Sequence, residues 1–222
     1  MERSIRFNNA GIQLLRRGQY EIAHDCFRAS LELKLAHDRM QVERQLNPLH
    51  QVRSVSPECV SIAEEHLMNL SNYLTEGASR RSSSASSDDE EMEDRTPRPY
   101  IYAEGFVMPD ESRSTVQLRS CMNVFNLGLI HQMKEPAAEK ARDFYRIAAT
   151  LLALDTENRH SALIRLAVAN NFGVWCHENG DAQQARECME QVATLLERLD
   201  ESLSPEALNG FQSNIQMFSA TR

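Results

Sequence analysis

The sequence predicts an all-α protein of stacked helical hairpins, an α-solenoid closed by a C-terminal capping helix. Three observations predict it. A short signature returns three times, as Asn9-Ala10-Gly11, Asn126-Leu127-Gly128 and Asn171-Phe172-Gly173. Each copy is followed by a segment whose small and bulky residues keep fixed spacings. From Gly11 these are Gly18, Tyr20, Ala23, Phe27 and Ser30; from Gly173 they are Gly180, Ala182, Ala185, Met189 and Val192, at offsets of 7, 9, 12, 16 and 19 in both. The copy at Gly128 carries one extra residue in its turn and then Ala141, Tyr145 and Ala148. Finally, apolar residues recur with the period of a helix. Self-similarity of this kind marks a repeat architecture.

The elements follow in order. Residues 3–17 read as a first helix and 19–45 as its partner, with Ala23, Phe27, Leu31 and Leu35 on one face. Gly18 can take the backbone angles of a tight inter-helix turn. Asn47-Pro48 ends this first hairpin, residues 1–46. An insertion, residues 47–112, comes next. Within it Ser56-Pro57 signals a helix start, and Val60, Ala63, Leu67 and Leu70 fall in register for a helix over 57–74. Residues 75–98 hold a serine run and then an acidic block with almost no apolar content, so disorder is expected. Residues 100–108 (Tyr-Ile-Tyr-Ala-Glu-Gly-Phe-Val-Met), between Pro99 and Pro109, read as an extended segment with no sheet to join. Two hairpins fill residues 113–199, with helices expected at 113–133, 136–154, 158–179 and 181–199. The capping segment is 200–222, where Ser204-Pro205 starts a helix with Leu208, Phe211, Ile215 and Phe218 as its apolar face.

Composition narrows the function. The net charge is −8 over 222 residues, and the acidic block Asp88–Asp94 alone carries six of those charges, leaving about −2 elsewhere. Arg and Lys are scattered at helix-surface spacing, so no nucleic-acid footprint is expected. The five cysteines form no CxxC pair, and reduced, mostly buried thiols in an intracellular protein are expected. No apolar run approaches the ~20 residues of a membrane span, and the first repeat begins almost at Met1, leaving no room for a cleaved leader.

The pattern Phe7, Gly11, Gly18, Tyr20, Ala23, Phe27 resembles the consensus of the tetratricopeptide repeat (TPR) family. The doublets Asn8-Asn9 and Asn170-Asn171 are most similar to kinesin light chain repeats within it. The chain departs from the family in the 45-residue interval from Gly128 to Gly173, in the long insertion, and in lacking a proline at the end of the second helix. The resemblance implies TPR-like hairpins whose first helices line a concave groove. It implies a non-catalytic adaptor or scaffold that holds an extended peptide or a helix there, in the cytoplasm or the nucleus. The Lys and Arg that fix a ligand's terminal carboxylate in chaperone-binding members are not evident.

Asn9, Asn126 and Asn171 stand two residues before each repeat glycine, so they form a ladder of side-chain amides. An amide offers a donor and an acceptor and can pair with any peptide backbone. By resemblance the ladder looks like a peptide clamp, with Asn8 and Asn170 beside it and Ile12, Leu129 and Val174 as an apolar floor. The alternative is that these asparagines bond neighbouring helices and set the superhelix. Two readings of residues 100–108 stand: packing on the helix stack as part of the fold, or occupation of the protein's own asparagine-lined groove as a built-in ligand. Ser86 and Ser87 precede acidic residues as acid-directed kinases prefer, and Arg80-Arg81-Ser82-Ser83 suits a basophilic kinase; phosphate at Ser82, Ser83, Ser86 or Ser87 would add charge to the linker.

Catalysis is not expected. Cys176 and His177 are adjacent, so on a helix they point about 100° apart, whereas a nucleophile needs its base within hydrogen-bond reach. No metal-ligand spacing and no phosphate loop occur, so no metal or cofactor is expected, and Trp175 reads as hairpin core. From a different class, a structural subunit that associates through outer helix faces remains the alternative to the adaptor.

Overall fold

The computed structural model of the chain describes residues 2–46, 98–109, 115–153, 161–199 and 203–220. The described residues form α1 (Glu2–Arg16), α2 (Tyr20–Leu46), α3 (Val116–Lys134), α4 (Glu139–Ala153), α5 (Ala162–Glu178), α6 (Ala182–Leu196) and α7 (Pro205–Ala220). No strand occurs among them, and none of these helices is long and apolar enough to cross a membrane. The helix expected over 57–74, the linker 75–98 apart from Arg98, and Ser82, Ser83, Ser86 and Ser87 lie outside the described residues.

The chain divides into two compact units, Met1–Lys34 with Pro97–Arg222, and Leu35–Thr96. The division falls inside α2 and not at its end near residue 46. Residues 98–109, taken from sequence as part of the insertion, group with the helices because backbone groups and rings of this segment contact them, as described below. All that follows concerns the first unit.

Turn chemistry makes the hairpins. At Gly18 (φ +70°) the Gln19 N–H bonds the Leu14 carbonyl and the Gly18 N–H bonds that of Leu15. At Gly180 (φ +81°) the Asp181 N–H reaches Cys176 and the Gly180 N–H reaches His177. Both are the paired bonds of a Schellman end, which places its C′ residue in the left-handed region. The α3–α4 turn holds the extra residue and uses Glu135-Pro136-Ala137-Ala138 with no positive φ. Caps set the other ends: Thr115 Oγ1 accepts from the Leu118 N–H at 3.1 Å, Asp181 Oδ1 from Gln184 at 3.1 Å, and Ser204 Oγ from Ala207 at 3.2 Å.

The repeat offsets are contacts. A Cβ built on Gly11 would lie 2.5 Å from the Phe27 ring, one on Gly128 3.0 Å from Tyr145, and one on Gly173 2.5 Å from the Met189 methyl. The glycine of each first helix thus receives the bulky residue of the second. The partner positions Ala23, Ala141 and Ala185 are fully buried. Within hairpins α3 packs on α4 and α5 on α6; between successive units α4 packs on α5 and α6 on α7, with α1 touching α3 and α3 touching α5. A buried polar junction joins the first three helices, where Ser4 Oγ donates to the Ser30 carbonyl at 2.9 Å, Ser30 Oγ to that of Ser4 at 2.7 Å, and the Asn123 amide meets Ser30 Oγ at 2.9 Å.

One face differs from the expectation. α7 buries Ala207, Phe211, Asn214 and Phe218, while Leu208 is exposed and Ile215 half-buried. The helix is turned so that Asn214 and Gly210 meet Tyr100, a contact that periodicity among apolar residues does not register.

Gly11→Ala forces the Phe27 ring to move within a close-packed site and is expected to destabilise by about 1–3 kcal/mol. Gly18→Ala meets open space but keeps the left-handed backbone, at about 1–2 kcal/mol. Thermal denaturation of both single variants checks the values.

Candidate peptide-holding face

Residues 98–109 run extended across α7, α5, α3 and α1. The reason is in their backbone. An extended residue directs its own N–H and C=O to the same side, as opposed residues in an antiparallel ladder do. Here the partner is a side-chain carboxamide in place of a strand. Asn214 Oδ1 accepts from the Tyr100 N–H at 2.8 Å while its Nδ2 donates to the Tyr100 carbonyl at 2.7 Å. Asn171 does the same to Tyr102 at 2.9 and 3.1 Å. Asn126 holds Phe106 at 2.8 and 3.0 Å. Asn9 holds Met108 at 2.8 and 3.1 Å. Four helices each contribute one such two-point pair.

Asn8 and Asn170 extend the pairs. Asn8 Nδ2 donates to the Phe106 carbonyl at 3.0 Å, so that oxygen accepts from two amides, and Asn8 Oδ1 accepts from Asn126 Nδ2 at 3.0 Å. Asn170 repeats this two hairpins on: its Nδ2 reaches the Tyr100 carbonyl at 3.0 Å, and its Oδ1 accepts from Asn214 at 2.8 Å. The asparagines therefore bond both the extended segment and the neighbouring helix. The position matching Asn8 on α3 is Phe125, and there the α3–α5 junction is bridged differently. Tyr145 donates its hydroxyl to Gln132 Oε1 at 2.7 Å and Gln132 Nε2 donates to the Asn171 carbonyl at 3.4 Å.

Side chains alternate except at Ala103-Glu104, two consecutive exposed residues. Tyr102, Phe106 and Met108 are buried; Ala103, Glu104 and Val107 are exposed. Tyr102 lies between Phe211 and Phe106, with ring centroids 5.9 and 5.6 Å away and nearly parallel planes. Phe106 meets the edge of Phe125 at 5.0 Å, and Tyr100 that of Phe211 at 5.4 Å. Such pairs contribute about 0.5–1.5 kcal/mol beyond their buried area. Burial, then Glu104 and Glu206, pushes the Tyr100 hydroxyl up to about 12; burial and Glu104 push that of Tyr102 up as well. Both rings stay neutral phenols.

Of the residues singled out from sequence, Asn9, Asn126, Asn171, Asn8 and Asn170 all bond the extended segment. Ile12, Leu129 and Val174 are fully buried, and Ile12 Cδ1 sits against Gly105. Asn214 was missed. It lacks the glycine two residues on, having Gln216 there, but its helix repeats the spacing of small residue, asparagine and apolar residue: Ala167, Asn171 and Val174 on α5 against Gly210, Asn214 and Met217 on α7. Trp175 is buried and donates to the Ala138 carbonyl at 3.0 Å.

Elsewhere the chemistry is subdued. Cys121, Cys176 and Cys188 are buried and Cys26 half-buried, and none of these four forms a disulfide. Burial pushes the Cys176 thiol up to about 12 and that of Cys188 to about 11. Among the described residues no group of three or more His, Cys, Asp or Glu could hold a metal ion. His24 of α2 meets His131 of α3 edge-on at 5.2 Å, and His131 stacks on Phe144 at 5.5 Å. Burial, then His24, Lys140 and Lys134, drives His131 down to about 4, opposed by Glu21.

No family model, no curated protein and no solved structure matches this chain.

Asn126→Ala removes the acceptor for the Phe106 N–H, and a buried unpaired donor costs about 1–3 kcal/mol. The Phe106 amide is expected to lose most of its hydrogen-exchange protection, by about tenfold or more, while amides within α5 and α6 keep theirs. The His131 prediction has a definite sign. The imidazole is neutral when folded and takes up a proton below its ordinary 6.5 when unfolded. Stability therefore falls as pH drops from about 6.5 toward 4. His131→Phe is expected to flatten that part of a denaturation-against-pH profile.

Proposed function

We propose that this chain is a TPR-like adaptor: an α-solenoid of stacked hairpins that holds an extended peptide on its asparagine-lined face and performs no catalysis. The observation that carries the reading is the set of four two-point pairs between Asn9, Asn126, Asn171 and Asn214 and the backbone of residues 100–108. They support the reading because nothing in an amide–peptide pair depends on the segment being covalently attached. The repeated hairpins and the adjacency of α1, α3 and α5 support the solenoid. Residues 100–108 act in this reading as a resident occupant, which a partner segment replaces. The buried thiols of Cys176 and Cys188 support a reducing compartment, the cytoplasm or nucleus.

The test uses full-length protein. Tyr102→Ser with Phe106→Ser removes two aromatic anchors of the resident segment and leaves the asparagines in place. This variant is expected to retain proteins from a native lysate that the wild type retains poorly. Adding Asn126→Ala and Asn171→Ala to it should abolish that capture at unchanged helical circular dichroism. Capture that is indifferent to the asparagines would remove this face as the working surface.

A further inference from the structure

The occupied face has a register, and the register limits what else fits it. Side chains on α7 and α5 hold Tyr100 and Tyr102, two residues apart, and those on α3 and α1 hold Phe106 and Met108, again two apart. Between Tyr102 and Phe106 the interval is four. Geometry explains the irregularity. Two residues of extended chain advance about 6.6 Å, whereas neighbouring packed helices stand about 8–10 Å apart. A strict two-residue repeat falls behind the helices. From Tyr100 to Met108 the chain takes eight residues over three helix-to-helix steps, about 9 Å per step at a rise of about 3.3 Å. One longer step restores the match. It falls at the α3–α5 junction, where Phe125 replaces the second asparagine of the other first helices.

The longer step must bend, and Gly105 is the bend. Its φ is +64°, the left-handed region that only glycine enters freely. A Cβ there would also lie 2.6 Å from Ile12 Cδ1, 3.2 Å from Asn126 Oδ1 and 3.3 Å from Leu15 Cδ2. Asparagine, which tolerates that φ elsewhere, is excluded by the contact. The flanking slots are also shaped. Gly210 leaves room for the Tyr100 ring, which a Cβ would approach to 2.4 Å. Phe211 and Phe125 face the rings of Tyr102 and Phe106. Direction is fixed by the off-centre position of the glycine and by the second amides Asn170 and Asn8, which reach the segment at the carbonyls of Tyr100 and Phe106 and otherwise donate to Asn171 Oδ1 and Asn9 Oδ1.

We infer that the face selects partner segments of nine residues with the pattern aromatic-x-aromatic-x-x-Gly-aromatic-x-aliphatic, bound with the first residue at α7 and the last at α1. The glycine is obligatory, and the outward positions matching Ala103 and Val107 are unread. The partner is thus a protein that displays such a segment in extended form. The inference rests on the peptide-holding reading above and adds selectivity to it.

The experiment measures labelled peptides against the full chain bearing Tyr102→Ser and Phe106→Ser. A peptide of residues 98–109 is expected to bind. The same peptide with Gly105→Ala, or with Ala103 deleted so that the step is shortened, is expected to bind at least about tenfold more weakly. A peptide with Ala103→Ser and Val107→Thr should bind like the parent. If all four bind alike, the face holds peptide without reading it; the selectivity is wrong and the adaptor reading stands. If none binds a variant whose helical signal equals that of the wild type, both are wrong. Should the double variant not fold, Gly105→Ala in the otherwise native chain decides. Loss of exchange protection at the Tyr102 and Phe106 amides supports the inference, and unchanged protection overturns it.

Discussion

A peptide group paired with a side-chain carboxamide is the interaction on which this architecture depends. The two groups have the same donor and acceptor at nearly the same separation. An asparagine can therefore stand where a neighbouring strand would, and an extended segment can be buried in an all-helical protein without unpaired backbone. The net stabilisation from each hydrogen bond is modest, about 0.5–1.5 kcal/mol, but leaving a buried partner unmade costs more. The pairs consequently specify more than they stabilise. Asn126 and Asn214 each bond both the segment and the adjacent asparagine helix, so the segment cannot shift without unpairing amides that also join α1 to α3 and α5 to α7.

The aromatic layer supplies what the polar ladder lacks. Phe211, Tyr102 and Phe106 form a run of near-parallel rings, and Phe125 and Tyr145 continue it toward the hairpin core. Two of these rings belong to the segment and three to the helices. The segment therefore completes the apolar interior while lying along the asparagines of the helices.

Legibility followed the kind of signal each feature leaves. Gly11, Gly128 and Gly173 mark close helix approach and repeat at fixed offsets, so the hairpins and Asn9, Asn126 and Asn171 were readable. Asn214 was not, because α7 contacts no second helix through a glycine two residues later and its asparagine repeats without that flag. Its apolar face was misplaced for a related reason, since Leu208 and Ile215 match the period but a polar residue determines the rotation. Gly105 read as one more residue of an extended run; its role appears only when helix spacing is set against strand rise. The boundary at Lys34 was likewise invisible, because α2 continues through it without any change in helical pattern.

Repeat proteins ordinarily make contacts only between neighbouring units, so each hairpin can form as soon as it is synthesised. The segment across the asparagines breaks that locality. Asn9 bonds a residue 99 positions later, and Tyr100 bonds one 114 positions later. Chains whose contacts are far apart in sequence fold more slowly. During synthesis α1 precedes the backbone of Phe106 and Met108 that its Asn8 and Asn9 bond, and the segment in turn precedes α7, whose Asn214 bonds Tyr100. One extended segment thus ties α1 to α7, the first and last of the described helices.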